Sequence, residues 1–519
     1  LAAALRLDAL RSSHPIQVPI AHAEEVEEVF DAISYCKGGS VVKMIRAVLG
    51  KTAFQQGLAD YMHKYQYSNT ETFHLWDAWE LASKMPIGEM MKSWTEQMGF
   101  PLLTVVDEKW EDKSVTLTVK QSWFLSDGSE LKPDEAKTWC IPIMTCTAAG
   151  VQSDMTWMRE ETAQVTIPLN AASDWVKLNA NQEVPMRVCY SKTMIDRLSG
   201  GISSMSSPAD RAGLLADSYA LVKSGAMKPE VLLKLLSSYE SETDCIVWES
   251  IESVLGGLHS VMSDDDAMAA NFSNFAKKIV INLTNVVSWD ASPSDEHLTS
   301  LLRGAMVRLL SKFCAEDANV VNEAKTRFQK FLENPDDVVA LPSDMRGSVF
   351  AIILKSGGIK EYESVLSYFE TATDSAERRH VFSSLGYAPD LKLKLRTLEW
   401  ALSGVVKLQD CFYPMGAVGR SSRGGRDISW KFYQNNFEKI KGMIGKGSPS
   451  LMDACIVNCC GAFCSKSKAD EIDAFFTENP LPSSSRKITQ MTENMRANGQ
   501  FLEKLQGSEL TKDAFWSSL

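Results

Sequence analysis

The apolar residues of this 519-residue chain change their spacing twice. Residues 1–98 have helical spacing, with apolar side chains three and four positions apart, and strict alternation begins at Leu102. Helical spacing returns at Ser206 and continues to the end of the chain. Because a period of two fits a strand and a period of 3.6 fits a helix, a β region must lie between two α regions. A chain this long also exceeds a single hydrophobic core, so we expect several domains.

The alternating region predicts short strands. Val115, Leu117 and Val119 alternate with polar residues, and turn-forming residues such as those of 126–128 separate the apolar runs. Further short runs occupy residues 139–143 and 164–167. About 85 residues of such strands are typical of a small β-sandwich.

The long C-terminal part predicts an all-α region. Its first helix has a capping serine, Ser207, before Pro208 at the first helical position and Asp210 at the third. Many short amphipathic stretches follow without an exact repeat period, which is typical of a HEAT-like helical solenoid. We therefore predict a multidomain α+β protein with domains at residues 1–98, 99–190 and 191–519.

The composition excludes several classes of protein. The formal net charge of −12 argues against general nucleic-acid binding. No uncharged apolar run reaches the roughly 18 residues that a transmembrane helix needs, so we expect no membrane span. The first residue is Leu1 rather than Met, and we expect the chain to be a fragment of a longer protein.

The eleven cysteines are odd in number, so at least one cannot pair within the chain. Four of them cluster in a helical pattern that lacks a Cys-x2-Cys pair and a nearby histidine, which a tetrahedral metal site would need. We predict buried free thiols, a reducing compartment and therefore a cytoplasmic protein. The four cluster residues are Cys455, Cys459, Cys460 and Cys464.

Residues 31–38 separate two apolar helical faces. Gly38 and Gly39 each weaken a helix by about 1 kcal/mol relative to alanine, so they predict a helix boundary or a close approach of another group. At such a boundary Tyr35 either points its hydroxyl into a cleft or closes a core with its hydroxyl satisfied, and the pattern leaves both open. The first face consists of Val26, Val29, Phe30 and Ile33, and the second of Val41, Ile45, Val48 and Leu49.

The residues Asp31, Ile33, Tyr35, Lys37 and Gly38 follow the pattern Asp-x-Ile-x-Tyr-x-Lys-Gly. This segment resembles the one that follows the zinc site in gluzincin aminopeptidases, and most resembles the puromycin-sensitive type. Residues 7–16, 94–101 and 210–217 also resemble that family. The resemblance covers essentially the whole chain and implies the helical tail of a thermolysin-like catalytic domain, then a β-sandwich and a HEAT-like helical domain.

The resemblance implies a catalytic role for Tyr35. In the family this hydroxyl donates a hydrogen bond to the oxyanion that forms when water attacks the scissile peptide carbonyl. Such a donor lowers the barrier without tightening substrate binding, because the charge it meets appears only in the transition state.

The zinc-binding motif of the family is absent from these residues. Two histidines would be needed four positions apart with a glutamate between them, and none of the seven histidines meets that spacing. The family's Gly-x-Met-x-Asn motif, which holds the substrate amine, is also absent. We therefore expect no metal ligands here, zinc to be bound in the parent enzyme outside this chain, and the chain alone to be inactive.

A glycine- and arginine-rich segment at residues 419–430 resembles a loop that faces the catalytic domain in the puromycin-sensitive type. Arg426 and Trp430 match that arrangement, and Arg423 lies beside them. Arginines can hold a peptide carboxylate through paired hydrogen bonds, so these three residues are candidates for substrate binding. The alternative is an ordinary solvated basic loop.

The chain departs from the family pattern at the end of the β region. Val184-Pro185-Met186-Arg187 replaces the usual Gly-x-Tyr-Arg, and proline cannot adopt the positive φ that glycine allows. The backbone at this junction therefore cannot be predicted from the resemblance.

We predict that the chain is the C-terminal portion of a zinc aminopeptidase that removes N-terminal residues from peptides. Tyr35 would stabilise the oxyanion, and the helical domain would enclose the peptide. The expected partners are peptide substrates and the missing N-terminal catalytic segment. The alternative is a catalytically inactive helical-repeat module that binds peptides or proteins.

Overall fold

The computed structural model describes residues 1–22, 29–444 and 448–519. The chain divides into two compact units, Leu1–Ser241 and Glu242–Leu519. The first unit combines helices with small sheets, and the second contains helices and no strand among its described residues.

The helices of the first unit precede and follow its strands. A π-helical segment, Ile33–Lys37, leads directly into the long second helix. The helices are α1 Ala2–Leu7, α2 Gly38–Tyr65, α3 Thr72–Ser83, α4 Ile87–Thr95, α5 Lys192–Gly200, α6 Pro208–Ser224 and α7 Pro229–Ser237.

Helices α2 and α3 pack closely through one tryptophan. The indole of Trp79 is buried and donates to the carbonyl oxygen of Phe54 at 3.0 Å. A Cβ at Gly57 would lie 2.4 Å from the Trp79 ring, so only glycine allows this approach. The second predicted apolar face is confirmed at Val41 and Ile45, both of which are buried.

The strands form three small sheets. A four-stranded sheet has the order β7-β2-β1-β9, in which β9 runs parallel to β1 and the other pairs are antiparallel. The pair β3-β6 and the triplet β5-β4-β8 are also antiparallel. The strands are β1 Pro101–Glu111, β2 Ser114–Trp123, β3 Ile141–Ile143, β4 Thr145–Thr147, β5 Gly150–Val151, β6 Thr156–Met158, β7 Thr162–Pro168, β8 Val176–Leu178 and β9 Arg187–Cys189.

The predicted alternation is confirmed on β2, where Val115, Leu117 and Val119 are all fully buried. The chain turns at Gly99, between the last helix before the sheet and the first strand. Helix α4 ends at Thr95, and Gly99 has φ +87°. A Cβ at Gly99 would lie 2.2 Å from the indole nitrogen of Trp123, so both the backbone and the packing require glycine.

Two buried ion pairs attach α6 to the strands. Lys177 of β8 lies 2.8 Å from Asp210, and Arg187 of β9 lies 2.9 Å from Asp217. All four side chains are almost completely buried. The predicted cap is confirmed beside them, because the Ser207 side chain accepts from the backbone N–H of Asp210.

The unusual Val184-Pro185-Met186 sequence is accommodated without a positive φ. The positive φ values fall just before it, at Asn179, Asn181 and Gln182. The side chains of Val184 and Met186 are fully buried. The junction therefore uses apolar packing, and Arg187 keeps its place through Asp217.

The second unit contains the predicted large all-α region. Side chains of Asp244, Asp265, Asp317, Asp390 and Ser422 accept from backbone N–H groups at the starts of their helices. Its helices are α8 Cys245–Met262, α9 Asp266–Leu283, α10 His297–Phe313, α11 Ala318–Glu333, α12 Ser343–Ser356, α13 Ile359–Thr371, α14 Ser375–Ser384, α15 Leu391–Ala401, α16 Phe412–Gly419, α17 Arg423–Asn435, α18 Phe437–Ile444, α19 Pro449–Cys460, α20 Lys466–Glu478, α21 Ser485–Gln506 and α22 Asp513–Ser517.

The predicted fold class, helices followed by a small β region and a large all-α region, is confirmed. The limits of the three predicted domains and the HEAT-like repeat organisation stay predictions. The prediction of buried free thiols is confirmed for the C-terminal cysteine cluster. Within residues 1–22, 29–444 and 448–519, no helix is both long and apolar enough to cross a membrane.

The Lys177–Asp210 pair gives a test of how α6 is attached. Replacing Asp210 with alanine leaves the Lys177 ammonium buried without a carboxylate, which typically costs roughly 3–5 kcal/mol. We expect Asp210→Ala to lower the urea midpoint of the first unit strongly, and the double variant Lys177→Met/Asp210→Leu to recover most of the loss. The exposed pair Lys192–Asp196 supplies the control, because Asp196→Ala should change the midpoint little. Equal effects of the two alanine variants would contradict this account.

Candidate functional site

The segment that contains Tyr35 begins with a carboxylate that organises the backbone. Asp31 Oδ1 accepts from the backbone N–H groups of Ile33 at 2.8 Å and Ser34 at 3.3 Å. These contacts start the π-helical turn Ile33–Lys37, a helix type that is rare and often marks functional sites. The turn passes into α2 at Gly38, where the sequence predicted a boundary.

His14 holds the other oxygen of the same carboxylate. Its Nε2 lies 2.9 Å from Asp31 Oδ2, and its Nδ1 lies 2.7 Å from the carbonyl oxygen of Pro15. Burial opposes ionisation of Asp31. The hydrogen bond and charge of His14, together with the N–H groups of Ile33 and Ser34, outweigh that opposition and lower the pKa of Asp31 below its ordinary 3.8.

Lys37 is the innermost residue of the segment. Its side chain is fully buried, and its Nζ lies 2.8 Å from Asp8 Oδ2 and 2.9 Å from the carbonyl oxygen of Gly99. Asp8 Oδ1 accepts from the backbone N–H of Gly99 at 2.8 Å and from Ser13 Oγ at 2.6 Å. One buried ion pair therefore joins the end of α1, the π-helical turn and the approach to β1.

Tyr35 points the other way, to solvent. Its side chain is 65% exposed, although the neighbouring Ile33 is fully buried. Its ring contacts the exposed ring of Phe30, with centroids 6.1 Å apart. Among the residues that the structure describes, no group forms a hydrogen bond with the Tyr35 hydroxyl. The reading in which Tyr35 closes a core is therefore wrong, and its hydroxyl is accessible.

The first predicted apolar face does not form as expected. Ile33 is buried, whereas Phe30 is exposed and lies outside any α-helix. Phe30 precedes the helical turn that begins with Ile33, so these two side chains do not share one helical face. Val26, the first residue of that predicted face, lies outside the described residues.

A cleft of about 480 Å³ opens next to this segment, beside Gly38. This volume lies in the range of small-molecule sites. A Cβ at Gly38 or Gly39 would meet none of the described atoms within 4 Å, so the predicted close approach is not formed by that part of the chain. The cleft is lined by Ile16, Gln17, Val18, Gly38, Val41, Val42, Thr72, Trp76 and Thr95.

The arginine-rich segment lies in the second unit, at the start of α17. Arg426 is buried, forms an ion pair with Asp264 and donates to the carbonyl oxygen of Ala462 at 2.9 Å. Arg423 is partly exposed, and its Nη2 lies 2.8 Å from Asp266 Oδ1. The two guanidinium groups therefore form ion pairs with carboxylates at the same place, where α8 turns into α9.

Trp430 lies one turn further along α17 and faces inward. Its indole nitrogen donates to Glu471 Oε1 at 2.6 Å, and its ring packs edge-on against Phe475 with centroids 5.2 Å apart. Arg426 and Trp430 thus have internal partners that the sequence did not reveal. Their role in substrate binding, like that of Arg423, stays a prediction.

The described residues do not fit a catalytic zinc ion. No group of three or more histidine, cysteine, aspartate or glutamate side chains in residues 1–22, 29–444 and 448–519 is arranged to hold a metal. His14 and Asp31 face each other, but no third ligand joins them within those ranges. No step of the chemistry can therefore be derived through zinc on these residues.

Sequence reasoning missed Asp8 and His14 as supporting residues. Both lie in residues 7–16, whose sequence indicates a resemblance to the family but no role for either side chain. Lys37 carried a usable signal, because a lysine between two apolar helical faces needs a buried carboxylate partner. The identity of that partner, 29 positions earlier in the chain, has no local signature.

Two family models match this chain. The Peptidase family M1 domain matches residues 1–94, which include the Tyr35 segment, and the ERAP1-like C-terminal domain matches residues 175–497. The chain therefore belongs to the M1 peptidase family and carries its ERAP1-like C-terminal domain.

Similar proteins are M1 aminopeptidases from plants and yeast. "Aminopeptidase M1" of Arabidopsis thaliana is 31% identical over 519 residues, which cover 96% of this chain and 57% of that protein. "Aminopeptidase 2, mitochondrial" of Saccharomyces cerevisiae is 29% identical over 505 residues, which cover 96% of this chain and 51% of that protein. The chain thus spans little more than half the length of these curated relatives.

The His14–Asp31 pair predicts a pH dependence of stability. Because the folded pKa of Asp31 is lowered, its contribution is present above pH 3.8 and is lost as the pH falls through the folded pKa. We expect Asp31→Asn to lower the urea midpoint at pH 7 and to have a much smaller effect near pH 3. Asp77→Asn, at an exposed position of α3, should have little effect at either pH. A loss for Asp31→Asn that is the same at both pH values would contradict the assignment.

Proposed function

We propose that this chain is the C-terminal part of a zinc aminopeptidase that removes N-terminal residues from peptides, and that Tyr35 stabilises the oxyanion of that reaction. The observation that carries the proposal is the exposed hydroxyl of Tyr35 on a rigidly anchored turn. Membership of the M1 family supports it, because the similar proteins are named as aminopeptidases.

The anchoring explains how one hydroxyl can act on a transition state. The buried Asp8–Lys37 pair fixes the turn two residues after Tyr35, and the Asp31 contacts fix it four residues before. A donor held in place needs no reorganisation when negative charge appears on the substrate carbonyl oxygen. Tyr35 Oη would donate a hydrogen bond to that oxygen.

The metal of the proposed reaction would polarise the substrate carbonyl and activate water. Its ligands, the general base and the residues that hold the substrate amine would come from outside these 519 residues. This chain would contribute the oxyanion donor and the surface around it. The missing N-terminal catalytic segment is thus the first proposed partner, and peptides are the second.

The helical domain is proposed to enclose the peptide. Arg423 offers a partly exposed guanidinium to a peptide carboxylate, and Arg426 and Trp430 hold α17 in position through Asp264 and Glu471. The proposed location is the cytoplasm, because all eleven cysteines are free and most are buried, as suits a reducing compartment.

A second candidate is a helical-repeat module that binds peptides without hydrolysing them. The absence of a His-Glu-x-x-His motif from the chain favours it. The two candidates differ in one observable: the natural full-length protein hydrolyses an aminoacyl peptide in the first and only binds it in the second.

Tyr35→Phe in the full-length protein tests the proposed role. The change removes one hydroxyl from an exposed position and keeps the ring against Phe30. Loss of one oxyanion donor typically lowers kcat by about 10²–10³-fold, or roughly 2.7–4 kcal/mol of transition-state stabilisation. We expect this loss with little change in KM, because the bond strengthens only in the transition state. The melting temperature should not change, because no described residue depends on that hydroxyl.

Tyr67→Phe is the matched control, because Tyr67 is also a highly exposed tyrosine of the first unit. Its kcat should equal that of the wild type. Near-normal kcat for Tyr35→Phe would remove the proposed catalytic role while leaving the aminopeptidase assignment intact. No hydrolysis by the wild-type full-length protein would instead favour the binding module.

A further inference from the structure

Three lysines of the second unit, Lys312, Lys355 and Lys394, lie near the ends of three helices, α10, α12 and α15. Hydrogen bonds and a ring contact connect the places where they lie. Lys355, in the last turn of α12, donates from Nζ to the carbonyl oxygen of Ser311 at 2.6 Å, and Ser311 directly precedes Lys312. The Lys355 ammonium also lies 5.0 Å from the ring centroid of Tyr387. We call Lys312, Lys355 and Lys394 the lysine cluster.

Lys394 reaches the same place from α15. Its side chain is almost fully buried, and its Nζ donates to the carbonyl oxygen of Gly386 and to Ser421 Oγ, both at 2.6 Å. Gly386 directly precedes Tyr387, the residue whose ring Lys355 contacts. Lys355 and Lys394 therefore donate their hydrogen bonds to neutral oxygens and not to carboxylates.

The Lys355 ammonium is close enough to those of Lys312 and Lys394 to be repelled by both. Burial, with the charges of Lys312 and Lys394, lowers the pKa of Lys355 to about 8. Burial alone lowers the pKa of Lys394 to about 8. Lys312 is exposed to solvent, and yet desolvation by the surrounding protein lowers its pKa as well.

No carboxylate neutralises the cluster within the described residues. The three lysines form no ion pair there. Glu252 acts on Lys312 from α8, but it already holds Arg308 through two hydrogen bonds of 3.1 and 2.9 Å. Glu316 acts on Lys355 only from an exposed position after α10.

The other facing groups add no negative charge. His259, in the last turn of α8, has its pKa lowered to about 4 by burial and by Lys312 and Lys355, so it is neutral at pH 7. Arg420, which follows α16, is a further cation near Tyr387. The surroundings therefore increase the excess of positive charge.

Helix dipoles do not explain why all three lysines of the cluster lie where they do. A cation is favoured in the last turn of a helix, as for Lys312 of α10 and Lys355 of α12. Lys394 is the fourth residue of α15, near a helix N-terminus, where the dipole disfavours a cation. Burying a cation there without a carboxylate partner is costly unless an anion completes the site.

We propose that the lysine cluster binds a multiply charged oxyanion of the phosphate type, either free or as a small phosphate ester. At least two unneutralised ammonium groups call for a ligand with two negative charges. Lysines act as point charges and bind compact phosphate groups well, whereas a planar carboxylate is better matched by the fork of an arginine. This site is independent of the proposed peptidase activity.

Isothermal titration calorimetry on the 519-residue chain tests the proposal directly. Inorganic phosphate, pyrophosphate and glycerol 3-phosphate would each be titrated at pH 7 and constant ionic strength, with succinate as the carboxylate comparison. We expect saturable binding of one phosphate-type anion per chain and weaker binding of succinate. The comparison of free phosphate with the ester identifies which form the site prefers.

Variants then locate the site. Lys312→Gln and Lys355→Gln should each weaken binding about tenfold or more, because each removes a charged donor. Lys431→Gln, at an exposed position of α17 without an ion pair to any described residue, should bind as the wild type does. Circular dichroism and melting temperature would verify that each variant is folded. Lys312 is the key position, because its exposed side chain can be changed without opening a core.

Three results would overturn the proposal. The first is the absence of saturable binding by all three phosphate compounds. The second is equal affinity in the cluster variants and in Lys431→Gln, which would mean a general effect of charge. The third is tighter binding of succinate than of phosphate, which would assign the site to carboxylates.

Discussion

The buried contact between Asp8 and Lys37 is the constraint on which the candidate site depends. A lysine with no exposed surface costs several kcal/mol unless a carboxylate and further acceptors replace its water. Here Asp8 and the carbonyl oxygen of Gly99 supply that replacement. Because Asp8 also binds Ser13 and the N–H of Gly99, one carboxylate determines the relative position of three chain segments. Tyr35 is exposed because the residues on either side of it are held inward.

The lysine cluster differs from the other buried cations of the chain. In the first unit Lys37, Lys177 and Arg187 each have a buried aspartate partner, and these pairs specify how distant segments meet. In the second unit Arg426 likewise pairs with Asp264, whereas Lys355 and Lys394 donate only to neutral oxygens. In the cation–carboxylate pairs the charges neutralise each other, and the pairs have a structural role. The lysine cluster leaves positive charge uncompensated, which is the physical reason for assigning a ligand to it.

Local patterns were enough to predict much of the fold. The alternation of Val115, Leu117 and Val119 and the Ser207 cap both depend on neighbouring residues, and both are confirmed. Contacts between distant residues cannot be predicted from local patterns. Arg426, for example, donates a hydrogen bond to Asp264, which lies 162 positions earlier in the chain. The π-helical turn was also missed, because a helical period assigns Phe30 and Ile33 to one face. For the candidate site, the motif identified Tyr35, but its exposure had to come from the structure.

The central claim is that the anchored turn presents the Tyr35 hydroxyl to the transition state of peptide hydrolysis. The most direct measurement is a crystal structure of the full-length protein with a phosphinic peptide, whose tetrahedral phosphinyl oxygen resembles the oxyanion. The account predicts Tyr35 Oη at roughly 2.5–2.8 Å from that oxygen, with the Asp8–Lys37 pair intact. A Tyr35 hydroxyl that is bound to protein instead, or that lies too far from the phosphinyl oxygen for a hydrogen bond, would contradict the claim.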